Sequence, residues 1–174
     1  MVVVVALYAW SGYNSFVSKN EAIDGQWAQV ETQYQRRFEL IPNLVESVKG
    51  AMAQEQEVFG NLAEARTRYS GALSAEEKAQ AAGQVESALG RLLVVMEAYP
   101  QLKSIEAVQT LMSQLEGAEN RVSVERGRYN DAVRFFNASV KTFPNNILAA
   151  IFSFAERTYF EAVSGAETAP KVEL

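Results

Sequence analysis

A few charged residues of this chain stand where a packed helix would carry an apolar group. Arg36 and Arg37 precede Pro42 and Asn43, Glu55 follows, and Glu119, Arg126, Tyr129 and Asn130 fall together in a later stretch. Counting in steps of three and four along the neighbouring apolar positions puts Arg37 and Glu55 in one stripe, and Glu119 and Arg126 in another. A charge at a seam position is costly to desolvate unless it is paired. Two uses are open for such residues. They form structural ion pairs or lie at a seam edge with their heads in water, or they make a polar patch that fixes register or receives a partner. Spacing does not separate the two.

The wider inventory narrows the chemistry further. Among 174 residues there is no histidine and no cysteine. That removes thiolate nucleophiles, disulfides, Cys/His zinc sites, Ser-His-Asp triads and imidazole acid–base catalysis together. The Glu-x-x-His spacing of helical di-iron sites is absent for the same reason. Paired carboxylates remain, as a glycosidase or a carboxylate-metal site would use, but such sites belong in pocketed folds. Glu76, Glu77 and Glu86 read as solvated helix-face charges. The expectation is a protein that is not an enzyme and carries no cofactor or metal.

The elements that must position these residues are helical. From Ile23 the apolar positions run Trp27, Val30, Tyr34, Ile41, Leu44 or Val45, Val48, Met52, Val58 or Phe59, Leu62 and Tyr69 in coiled-coil-like steps. The phase continues across Pro42, which favours a kink over a stop; the competing reading makes Pro42 the first residue of a second helix. The long helix is expected to end near Gly71, with Ser74 and Glu77 forming the capping box of the next. That helix carries Val85, Leu89, Leu92 or Leu93 and Met96, and reaches about Ala98. Pro100 breaks it, and Ser104 is the next N-cap candidate. A third helix follows the positions Ile105, Val108, Met112, Leu115, Val122, Tyr129, Val133, Phe136, Val140 and Phe143, until Pro144. A fourth is expected over "NNILAAIFSFAERTYFEAV", apolar nearly all round from Ile147 to Ala155. The fold class is all-α: an antiparallel bundle of about four long helices, spanning 18–163, with a short tail at 164–174.

The start of the chain suggests an address. "MVVVVALYAW" and "SGYNSFV" would span roughly 26 Å as a helix, just short of the roughly 30 Å hydrocarbon core. Residues 1–17 read as a truncated membrane anchor; a signal remnant or an interfacial segment are the alternatives. No basic n-region or cleavage site marks a signal peptide. Tyr8, Trp10 and Tyr13 suit a bilayer interface, and the sparsely basic exit flank leans toward a body outside the cytoplasm. A net charge of −5 provides no basic stripe for nucleic acid. The partners expected are membrane lipid, further copies of the chain and other envelope membrane proteins. Trp10, Ile147, Ile151 and Phe152 are the candidate oligomer or membrane contacts.

The ordered series "RRFELIPNLVESVKG", "QE" at 54–55, "YPQLKS", "ENRVSVERGRYNDAVRFFNASVKTFP" and "YFEA" resembles the LemA family of bacterial membrane-associated proteins. The resemblance implies a single-pass, membrane-anchored helical bundle and carries no catalytic residue. Its signature falls on Arg36, Arg37, Ile41, Pro42, Asn43, Leu44, Val45, Glu55, Tyr99, Pro100, Glu119, Asn120, Arg126, Tyr129, Asn130, Phe143 and Pro144. Gln54 stands where similar proteins often have histidine, which makes a metal role for Glu55 harder to sustain. Members occur in specialised internal membranes such as magnetosomes. The expected function is a non-enzymatic scaffold or adaptor of the bacterial envelope; the alternative is a membrane-organising or remodelling protein forming arrays on the bilayer.

Overall fold

The computed structural model describes residues 1–160. Its helices are α1 (Val2–Lys49), α2 (Gln56–Gly71), α3 (Ala75–Met96), a 3₁₀ turn (Pro100–Ser104), α4 (Glu106–Lys141) and α5 (Asn145–Ile151). There is no strand among the described residues, so the all-α class holds. The chain divides into two compact units. Residues 1–53 and 99–159 make the first, and 54–98 make the body of the second, so the span expected as one bundle is shared between them.

The first unit is built on α1 and α4. Phe16 meets Phe136, Trp27 meets Tyr129, and Arg37 meets Glu119, so rising numbers on α1 face falling numbers on α4 and the pair is antiparallel. The buried positions follow the expected stripes: Ile23, Val30, Tyr34, Ile41, Leu44 and Val48 on α1, and Val108, Leu115, Val122, Tyr129, Val133 and Phe136 on α4. Removing each such side chain from water contributes about 1.5–3 kcal/mol. α1 runs through Pro42 without ending, as the unbroken phase implied.

Four expectations about this unit need correction. The first long helix does not reach Tyr69. It ends at Lys49, where Gly50 carries the largest backbone-entropy cost in a helix, and the following turn still brings Met52 into the core. Phe143 lies beyond the end of α4 and is exposed rather than in the seam. The fourth helix is also much shorter than expected. After Ile151 the chain turns at Ser153, which has a left-handed φ of 59°, and residues 154–160 have no helical structure. The rest of the expected helix, and the tail at 164–174, lie outside the described residues. Ser104 also misses its expected role: it ends the 3₁₀ turn, and Ile105 is the N-cap of α4.

Among the described residues, no helix is long and apolar enough to cross a membrane. Residues 1–17, read as a truncated anchor, form the uncharged beginning of α1, continuous with the seam that starts at Phe16.

The second unit is a helical hairpin of α2 and α3 with Leu62, Ala65, Tyr69, Val85, Leu89 and Leu92 buried. Arg68 donates to Gln84 at 3.2 Å across it. Ser74 caps α3 as expected: its hydroxyl accepts from the Glu77 N–H at 3.1 Å, and the Glu77 carboxylate accepts from the N–H groups of Ser74 and Leu73. Those backbone donors, Ser74 first, hold the Glu77 carboxyl below its ordinary range. A depressed carboxyl stabilises the fold fully above the ordinary glutamate range, and that contribution is lost as pH falls through the depressed value. Ser74→Ala should lower stability by about 1 kcal/mol in urea denaturation. Glu77→Gln, which can keep the box, should flatten the acid limb of stability against pH; an unchanged acid limb would show that the carboxylate is not what the cap titrates.

Candidate functional site

The chemistry-bearing residues that the fold collects lie along the α1–α4 seam, in three levels. At the first, Arg37 is 9 % exposed and ion-pairs with Glu119, which keeps 41 % of its side chain in solvent. The spacing argument had placed both at seam positions, and the two helices bring them together. One turn back on α1, the Arg126 guanidinium donates through Nε to the Tyr34 hydroxyl at 2.9 Å, and also through Nη2. It lies 5.2 Å from the Tyr34 ring, which itself stacks on Phe38 at 5.5 Å. Tyr34 had been read as a plain apolar stripe position. Its ring does fill the seam, but its hydroxyl is what lets a charge sit there.

The third level was not anticipated. The extended segment after α5 returns along the groove between α1 and α4. Asn137, buried in α4, holds it by its main chain: the Asn137 amide donates to the Arg157 carbonyl at 2.9 Å, and the Arg157 N–H donates back to Asn137 Oδ1 at 2.9 Å. The Arg157 guanidinium crosses to α1, donating to Asn20 at 3.1 Å and pairing with Asp24. The Tyr129 hydroxyl donates to the Thr158 carbonyl at 3.3 Å while its ring meets Trp27 edge-on. Burial pushes the Tyr129 hydroxyl above its ordinary range, and the Arg157 charge offsets part of that. Phe154 wedges between Phe16, Tyr13 and Phe136. Lys141, raised above its ordinary range by its hydrogen bond to Glu156, closes the base of the loop at 2.8 Å.

Other expected site residues stand apart. Arg36 and Asn43 are exposed on α1, Asn43 lending its carbonyl to the Ser47 hydroxyl. Pro42 is part-buried within the helix, and Asn130 is part-buried on α4 beside Tyr129. Glu55 is not in the α1 stripe, because the helix break intervenes; it is the N-cap of α2, in the second unit. Among the described residues no group of three or more acidic side chains is placed to hold a metal ion. Trp10, Ile147, Ile151 and Phe152 all lie in the first unit, with exposed side chains.

Asn137 and Arg157 left only a faint signal in the sequence. Asn137 falls next to a seam position, and Arg157 lies two residues beyond the apolar run that ends at Ala155. Neither spacing says that the segment around Arg157 is extended.

Two outcomes follow from this geometry. Glu119→Ala should destabilise the protein by about 1–2 kcal/mol in chemical denaturation, below the range for a fully buried pair because Glu119 is partly solvated. The double variant Arg37→Met/Glu119→Leu should recover most of that loss, and a double variant as unstable as the sum of the singles would contradict a paired, register-setting role. Asn137→Ala removes two part-buried hydrogen bonds to the Arg157 main chain and should cost about 1–2 kcal/mol, with proteolytic cleavage appearing first around Arg157.

Comparison with known proteins places this architecture. The LemA family model matches residues 26–174. Magnetosome proteins MamQ 2 and MamQ 1 of Paramagnetospirillum magneticum are each 28% identical over 182 residues, covering 90% of this chain and 67% of the relative. Magnetosome protein MamQ of Magnetospirillum gryphiswaldense is 25% identical with the same coverage. With its match running from Gln26 to Leu174, the chain belongs to the LemA family.

Proposed function

We propose that this protein is a non-enzymatic, lipid-bound helical scaffold or adaptor of the bacterial envelope, which assembles with copies of itself or with other envelope membrane proteins. The observation that carries the reading is the start of α1. Val2, Val3, Val4 and Val5 are 61–82 % exposed, and Leu7 and Trp10 are exposed beyond them. Successive helix residues are about 100° apart, so four consecutive valines point to every side of the helix. A protein partner would cover one side. An apolar medium that surrounds the helix satisfies all of them, and Tyr8, Trp10 and Tyr13 supply the aromatic belt that suits its surface.

The non-enzymatic part rests on the use already made of the candidate groups. Arg37 and Glu119 hold each other, and Arg126 holds Tyr34, in a seam filled by side chains. The naming of the relatives as magnetosome proteins fits a role at a specialised internal membrane. Among the described residues no helix is long and apolar enough to cross a membrane, and the exposed apolar start of α1 supports contact with lipid.

The second reading, a membrane-organising protein forming arrays on the bilayer, draws on the same exposed turns, since shallow insertion into one leaflet strains curvature. Co-flotation with phosphatidylethanolamine–phosphatidylglycerol vesicles tests both. The intact chain should float, and Val4→Asp/Leu7→Asp, both at exposed positions, should abolish flotation with helicity unchanged. Cross-linking on the vesicles should then report assemblies. An intact chain that stays in the aqueous fraction would overturn the membrane reading, and vesicles that change diameter on binding would favour remodelling over scaffolding.

A further inference from the structure

A second charge-free segment lies beside the start of α1. α1 has no charged side chain before Lys19, and the run from Thr142 to Ala155, which contains α5, has none either. The charges that bound that run, Lys141 and Glu156, are bridged to each other.

α5 is held against α1 in a defined register. The Tyr8 hydroxyl donates to Asn145 Oδ1 at 2.7 Å, and the Phe152 ring meets Tyr13 edge-on at 5.0 Å. Between them Leu148 seats over Gly12, where a Cβ would lie 2.6 Å from Leu148 Cδ1, so glycine is what permits this approach. α5 therefore runs along α1 in the same direction, its first turn level with Tyr8. The row Leu148 and Phe152 covers α1. The row on another face, Ile147 and Ile151, is 52 % and 67 % exposed, and Phe143 in the preceding turn is 76 % exposed.

We propose that the α4–α5 turn is a second lipid-inserting prong, with Phe143, Ile147 and Ile151 entering the headgroup–acyl boundary of the leaflet that receives the start of α1. The inference rests on the lipid contact proposed above and goes further, because it fixes the depth and orientation of the first unit. The occupant is lipid rather than a second copy for two reasons. The turn lies beside the end of the unit where α1, from Val2 to Leu7, is apolar on every side, and no charge falls between Lys141 and Glu156, which pair with each other. The first turn of α5 is level with Tyr8, about 9 Å along α1 from Val2 at 1.5 Å per residue, so the exposed face of the turn meets the headgroup–acyl boundary once the apolar start of α1 has passed through it. One prong would let the unit swivel about α1. Two hold it.

Tryptophan reporters test this, since the chain has only Trp10 and Trp27. Trp27→Phe leaves Trp10 as the sole reporter, and Trp10→Phe/Trp27→Phe/Phe143→Trp moves it to the turn; circular dichroism checks that both retain their helices. With phosphatidylethanolamine–phosphatidylglycerol vesicles containing chain-brominated lipid, both reporters should shift to the blue and be quenched. Quenching of the Trp10 reporter alone, with the Phe143→Trp reporter still emitting as in water, would overturn the second prong and leave the membrane reading standing. Quenching of neither would overturn both. A blue shift of the Phe143→Trp reporter that grows with protein concentration without vesicles would assign the turn to a second copy and overturn the proposal. In the otherwise native chain, Ile147→Gln, which adds no charge, should weaken vesicle binding about tenfold; binding unchanged by that polar group would count against the prong as well.

Discussion

A guanidinium taken out of water must find oxygen, and the α1–α4 pair meets that demand across its seam. Arg37 finds it in Glu119 and Arg126 finds it in the Tyr34 hydroxyl, each across the seam. Apolar stripes alone would tolerate a slip of one helical turn, because valine, leucine and isoleucine replace one another at modest cost. A slip here would leave Arg37 against apolar neighbours and Glu119 without its partner. The α1–α4 pair in turn carries α5 and the returning segment, which contact both helices.

The returning segment exploits a difference in pitch. An extended chain advances about 3.3 Å per residue and a helix 1.5 Å, so each residue of the segment passes about two of α1. Phe154 lies at the level of Phe16, and Arg157 reaches Asn20 and Asp24. A few residues therefore cover several turns of helix and bind both rods, which a fourth helix of the same length would not do with so few contacts. The short α5 hands the chain over to this path at Ser153.

Much of this was legible beforehand where a pattern has one physical cause. The capping box at Ser74 and Glu77 is a local hydrogen-bond solution, and the seam positions of α4 from Val108 to Phe136 repeat with helical period, so both appear as read. The pairing of Arg37 with Glu119 was open because spacing on one helix carries no information about the other. Two misreadings share a cause. The apolar phase persists from Val48 through Met52 to Leu62 although the helix breaks after Lys49, and "ILAAIFSFA" is as suited to a helix as to a short helix followed by an extended segment. Periodicity reports which residues are buried, and a turn that keeps Met52 inside preserves it. Glu55 was misplaced for that reason. The Asn137 contact was hidden more deeply, since its target is a main chain and leaves no partner residue type to look for.

That last contact has a consequence for how the sequence can drift. Asn137 grips the N–H and C=O of residue 157, and Tyr129 donates to the C=O of residue 158, so neither bond inspects a side chain. Phe154, by filling the groove, Glu156, by pairing with Lys141, and Arg157, by reaching Asp24, are held by what they are. Ala155, Thr158 and Tyr159 can be exchanged with little effect on how the segment is bound, and the outward surface of this part of the molecule is left open to diversification while its path stays constant.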